Sequence, residues 1–214
     1  STDPNKITEA KKIETLSYEE MLDLSNEGAK VLHNRCVEIA QKYKVLIETG
    51  STFNNNLGTV ICDKIEESSV KSIVKNDDLF LINLKYETYS NDMFDKLCLT
   101  LIENGILLNT IFNNSVNSLN ISFTIKSSDI LKFQKLLEKE LKMFNSTFTN
   151  ISRISLVGYG IANNEKIIKQ ILQIFNLNKL EILSIQVDEC KISIMTKEKA
   201  SSKILEQLHN ELII

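Results

Sequence analysis

Ser17-Tyr18-Glu19-Glu20 has the form of a capping box, and Tyr18, Met21 and Leu22 then begin an apolar helical face. Gly28 interrupts this face, after which Val31, Leu32, Ile39, Ala40 and Tyr43 continue a helical stripe, so a helix pair is predicted. Short apolar stretches at Val45-Leu46-Ile47 and Thr59-Val60-Ile61 flank a polar loop and predict two strands. From Leu79 onward strands and helices alternate regularly. Leu79-Phe80-Leu81-Ile82-Asn83-Leu84 is a strand, and Ser90 or Asn91 caps a helix bearing Met93, Phe94, Leu97, Cys98, Leu101 and Ile102, which Gly105 terminates. Residues 106–112 and 120–125 are the next two strands, and Ser128-Asp129 caps a helix with Leu131, Leu137 and Leu141.

The same order returns about seventy residues later, a repeat of two units and too few for a solenoid. Ile154-Ser155-Leu156-Val157 repeats the first strand, and Asn163-Asn164 opens a helix with Ile167, Ile168, Ile171, Leu172 and Phe175. Strands at 182–187 and 190–194 follow, then a helix with Ile204, Leu205, Leu208 and Leu212. Each copy needs a fourth strand to complete an antiparallel sheet with two helices on one face, and Val70-Lys71-Ser72-Ile73-Val74-Lys75 can supply one. The pattern therefore predicts an α+β protein with two ferredoxin-like βαββαβ units behind a mainly helical segment.

Composition narrows the function classes. The 25 basic residues nearly balance 28 acidic ones, with no basic stripe interleaved with aromatics, which argues against nucleic acid as a partner. No apolar run is long enough to cross a bilayer and the first residues do not resemble a signal peptide, so a cytoplasmic location is expected. Cys36, Cys62, Cys98 and Cys190 are scattered among apolar neighbours and are expected to be buried, reduced thiols. His33 and His209 have no partner at metal-ligand spacing, and no metal site is expected.

Three front segments, Ser1-Thr2-Asp3-Pro4, Ser17-Tyr18-Glu19-Glu20-Met21-Leu22 and Gly28-Ala29-Lys30-Val31-Leu32-His33, resemble in order and spacing the end of the aspartokinase catalytic domain. Asn120-Ile121-Ser122-Phe123-Thr124-Ile125 and Ser155-Leu156-Val157-Gly158-Tyr159-Gly160-Ile161 resemble the two ACT units of that family, so the likeness spans essentially the whole chain. The resemblance implies a remnant of the amino-acid kinase domain over residues 1–64, a first ACT domain over 76–145, and a second built from 65–75 and 146–214, one unit inserted in the other. It further implies a region that binds an end-product amino acid and dimerises through ACT sheets, thereby controlling phosphorylation of L-aspartate by ATP. Lysine is the favoured effector and threonine the other; the alternative is an ACT pair that only dimerises.

The family's N-terminal lysine and glycine-rich segment have no counterpart here, and nothing resembling a phosphate-cradling Walker sequence replaces them. The chain alone is therefore expected to be catalytically inactive and to carry no cofactor, ATP and Mg2+ belonging to an intact parent kinase. By resemblance, Asp3 and Lys30 are nucleotide-side positions. A sensor must satisfy an α-carboxylate and an α-ammonium in a partly dry crevice. The resemblance places that crevice at the helix entrance Ser90, Asn91 and Asp92 and at Asn109, Thr110, Asn113 and Asn114 on the following strand. Glu87 or Asp92 would pair with the terminal ammonium of lysine. In the second unit Asn163-Asn164-Glu165-Lys166 replaces the family's Pro-Gly helix entrance, which predicts a structural or dimer-supporting role.

Overall fold

The computed structural model describes residues 1–4, 7–29, 31–50, 58–63, 69–88, 90–106, 112–113, 118–197 and 202–213. In chain order the elements are β1 (Thr15–Ser17), α1 (Tyr18–Asn26), α2 (Asn34–Tyr43), β2 (Ile47–Thr49), β3 (Thr59–Cys62), β4 (Ser72–Tyr86), α3 (Asn91–Glu103), β5 (Phe112–Asn113) and β6 (Leu119–Lys126). They continue with α4 (Ile130–Lys139), β7 (Asn145–Val157), α5 (Glu165–Leu177), β8 (Ile182–Asp188), β9 (Lys191–Thr196) and α6 (Ser202–Leu212). The fold is α+β. Two compact units divide it: residues 1–76 with 152–214, and residues 77–151.

In the first unit the front segment is a small sheet of order β1-β3-β2, β1 parallel and β2 antiparallel to β3. The capping box is complete: Glu20 N donates to Ser17 Oγ and Ser17 N donates to Glu20 Oε2. Met21 and Leu24 of α1 pack with Val37 and Ala40 of α2 and Ile61 of β3. The predicted helical stripe is shorter than its sequence pattern, because Val31 and Leu32 precede α2 and Val31, Ile39 and Tyr43 are exposed. The strand predicted at Val45 starts instead at Ile47. Lys44 closes α2 in the left-handed conformation and Val45 N still donates to Ala40 O, so the chain is finishing a helix turn there.

The rest of the first unit is a sheet of order β4-β7-β9-β8, in which β9 is antiparallel to both β7 and β8. Ile154 and Leu156 of β7 and Ile192 and Ile194 of β9 pack on Ile167, Ile171 and Phe175 of α5 and Leu205 and Leu208 of α6. Leu172, predicted on that face, is exposed, and Ile174 takes a core place instead.

The second unit runs β4-α3-β5-β6-α4-β7, with sheet order β5-β6-β4 and the front of β7 beside β4, where Asn83 Nδ2 donates to Thr147 Oγ1. The two strands read separately at Val70–Lys75 and Leu79–Leu84 are one strand of 15 residues, whose polar centre Lys75-Asn76-Asp77-Asp78 does not break it. The predicted strand over 106–112 is confined, among the described residues, to Phe112–Asn113; residues 107–111 lie outside them, and Ile106 instead closes α3 by donating to Leu101 O. Its core joins Ile82, Leu84, Leu97, Leu101, Phe123 and Phe133, with Phe133 edge-on to Phe123 and Phe148. Ile102 and Leu131, expected on core faces, are exposed, whereas Phe133 and Leu136 carry the buried face of α4. The cysteines also depart from expectation: only Cys190 is buried, Cys36 is exposed, and Cys62 and Cys98 lie between.

Candidate functional site

Two places carry polar chemistry. The first is the entrance of α3. Ser90 has extended backbone angles and is its N-cap, but its side chain makes no cap hydrogen bond; Asp92 stands exposed in the first turn, beside Asn91, and Glu87 is exposed ahead of it. A first helical turn capped in this way presents amide N–H groups and the positive end of the helix dipole to an anion. Asn113 lies in β5 opposite Ile121 of β6. Asn109, Thr110 and Asn114 lie outside the described residues, as does Lys30. Asp3 is exposed, its carbonyl accepting from Ile7 N.

The second place lies outside every residue singled out by the sequence pattern as a site. Strand residues alternate between faces. While Ile154, Leu156, Ile192 and Ile194 point to the helices, Arg153, Ser155, Lys191 and Ser193 meet α1 of the front segment or one another. Glu27, 4% exposed, sits at their centre. Its Oε2 accepts from Ser155 Oγ at 2.8 Å and lies 3.0 Å from Arg153 Nε; that contact is an ion pair rather than an aligned hydrogen bond, since the buried Nε–H finds no acceptor. Lys191 Nζ lies 3.3 Å from Glu27 Oε1, 3.1 Å from Asp23 Oδ1 and 3.8 Å from Asp188 Oδ2. Ser155 and Ser193 hydroxyls are 3.0 Å apart. Nearby, Tyr159 N donates to Glu20 Oε1 at 2.9 Å, so the capping-box glutamate also holds the turn after β7.

Burial pushes the Asp23 carboxyl above its ordinary range, partly opposed by Lys191. For Lys191 burial acts downward, but Asp23 and Glu27 outweigh it and hold the ammonium above its usual value. Burial, reinforced by Asp23, Glu189, Glu20 and Glu19, pushes the Cys190 thiol up to about 11. A sequence signal for this cluster existed: Arg153 stands inside the strand sequence Ile151-Ser152-Arg153-Ile154, and an arginine that becomes buried in a sheet is paired. No fixed spacing links it to Glu27, which is why the pattern did not yield its partner.

Two depressions accompany these features. One of about 420 Å³ is lined by Glu165, Ile168, Lys169, Leu172, Gln173 and Asn176 of α5, and one of about 350 Å³ by Ser25, Gly28, Ala29, Leu32, His33 and Asn34. Neither lining includes a predicted effector residue. Among the described residues no group of three or more His, Cys, Asp or Glu is placed to hold a metal ion, and no helix is long and apolar enough to cross a membrane.

The chain is similar to known proteins over nearly its whole length. The model of the amino acid kinase family matches residues 1–48. Aspartokinase of Bacillus sp. (strain MGA3) is 28% identical over 218 residues, and that of Rickettsia felis 32% identical over 217; each match takes in 98% of this chain and 53% of the relative. The chain belongs to the aspartokinase family. It spans about half the length of the curated relatives it matches, and the part it matches is the C-terminal, regulatory one. Solved aspartokinase structures share the fold. The aspartate kinase of Clostridium acetobutylicum superposes with a TM-score of 0.84 at 20% identity, over 99% of this chain and 51% of that one. The aspartokinase III of E. coli in complex with lysine and aspartate gives 0.78 at 19% identity, over 100% and 49%. The regulatory subunit of aspartate kinase from Thermus thermophilus gives 0.59 at 20%, over 66% of this chain and 97% of that one.

Proposed function

We propose that this aspartokinase region binds an end-product amino acid, lysine in preference to threonine, and in doing so controls phosphorylation of L-aspartate by ATP in a parent kinase. The observation that carries the reading is the entrance of α3, where Ser90 makes no side-chain cap bond and the first turn suits a carboxylate. Glu87 and Asp92, exposed beside it, are the anionic partners for a lysine ammonium. The solved complex of E. coli aspartokinase III with lysine and aspartate supports lysine as the first candidate.

In this reading residues 1–64 are the tail of the kinase domain, 76–145 the first ACT domain, and 65–75 with 146–214 the second, the first inserted in the second. The exposed Val31, Ile39, Tyr43, Val45 and Leu46 are then the surface on which the rest of the kinase domain packs. The chain alone phosphorylates nothing, ATP and Mg2+ being bound by an intact parent kinase in the cytoplasm. Homodimerisation runs through ACT sheets, where the exposed Ile185 and Val187 of β8 are available. Calorimetry of the chain with lysine and with threonine tests the proposal. Saturable lysine heat that Asp92→Asn weakens is expected, whereas a dimer that ignores both amino acids would leave the dimerisation-only alternative.

A further inference from the structure

We propose that Lys191 is the positioning residue through which the β8–β9 hairpin controls the end of α1 in the kinase-family segment. The inference rests on the reading of this chain as a regulatory region and adds the route by which regulation reaches the kinase side.

Lys191 pairs with Asp188 where the hairpin turns, so its backbone moves with β8, the strand at the end of the sheet order. Its ammonium reaches Asp23 and Glu27, residues more than 160 positions earlier in the chain, one within α1 and the other its C-cap. Glu27 is followed directly by Gly28, at φ +105, and Ala29, whose N–H donates to Leu24 O; these residues form the wall of the depression beside His33 and Asn34. Displacing Lys191 therefore displaces the end of a helix and the turn that follows it.

Charge makes the contact sensitive to position. Asp23, Glu27 and Asp188 supply three carboxylates against the two cations Lys191 and Arg153. With Lys191 in place the acids are bridged; with it withdrawn, Asp23 and Glu27 face each other one helical turn apart with Arg153 touching only Glu27. Buried ion pairs contribute little net stability relative to apolar packing, because desolvation offsets their attraction, but breaking one is costly. Such a cluster holds register between segments more than it holds them folded, and a hairpin that shifts on pairing with a second copy would shift α1 with it.

Hydrogen exchange on the full 214-residue chain tests the joint. In Lys191→Met, amides at Glu27, Gly28 and Ala29 are expected to exchange at least about tenfold faster while those of β7 keep their protection. Lys191→Arg is expected to restore the slow rate. Asp23→Asn, at the more open edge of the cluster, is the milder variant that decides the matter should Lys191→Met fail to fold; it should accelerate the same three amides. In the parent kinase, Lys191→Met should lower the maximal inhibition by lysine while the lysine Kd stays within about twofold. Unchanged exchange at residues 27–29 in both variants, or equal acceleration throughout residues 1–76 and 152–214, overturns the proposal. If the wild-type chain binds no amino acid, the regulatory reading falls, and the exchange comparison still judges the joint by itself.

Discussion

Helices α3 and α5 are each 13 residues long and each follows the first strand of a βαββα run, yet their entrances differ. At α5 the Asn164 side chain accepts from Lys166 N and Ile167 N, so the helix satisfies its own first turn. At α3 Ser90 makes no such bond. The same contrast extends outward. Around α5 the unit is tied down by the buried Glu27 cluster and by Gly158, whose N–H donates to Cys190 O and where an added Cβ would lie 2.0 Å from Ser69 O. In the unit that holds α3, the Phe133 ring packs edge-on against Phe123 and Phe148. One βαββα frame thus carries two kinds of helix entrance, one closed by its own cap side chain and one not.

The largest expected effects break each unit at its own support. Phe133→Ala removes the ring at the centre of the second unit's core and should cost about 3–5 kcal/mol there, read as lost exchange protection of β6 amides. Gly158→Ala should cost the first unit about 3 kcal/mol, because backbone rather than a flexible side chain stands in the way. Urea unfolding of the two variants, followed by exchange in β6 and β9, separates the units.

The next effect addresses the entrances directly. Asn164→Ala should lower stability by about 1 kcal/mol, whereas Ser90→Ala in the ligand-free chain should change it by less than about 0.5 kcal/mol. Equal losses in thermal unfolding would erase the contrast.

A smaller effect is the pH dependence. The folded Cys190 thiol holds its proton up to about 11 against an ordinary value of 9.0, so the unfolded chain loses protons first as pH rises. Stability contributed by the protonated thiol is complete below pH 9 and lost through about 11. Cys190→Ala should flatten the alkaline fall in unfolding midpoint over that window. In the same vein, iodoacetamide at neutral pH should label the exposed Cys36 and spare Cys190, as peptide mapping would show.

Much of the frame was legible in the residues. The capping box at Ser17 and Glu20 is complete, Asn164 caps α5, Gly105 closes α3 at φ +65, and Ile204, Leu205, Leu208 and Leu212 are buried on α6. These features depend on neighbours within a few positions, where local geometry decides. Patterns that failed had tertiary causes. The apolar Val31, Ile39, Tyr43 and Leu131 sit at helical spacing but face outward, since spacing defines a stripe and only the packed partner determines which part of it is covered.

What the sequence determined by itself, then, is most of the helices and strands, the caps at Ser17 and Asn164 and the family to which the chain belongs, because periodicity and motif are properties of neighbouring positions; the caps predicted at Ser90 and Asp129 make no side-chain bond. Only the tertiary structure decided that Arg153 and Lys191, on two strands, converge on Asp23 and Glu27 of the front segment. Charges brought together from distances of 126 and 164 to 168 positions leave no local pattern, and a buried carboxylate shows its partners only when strand alternation and sheet register carry them to the same face.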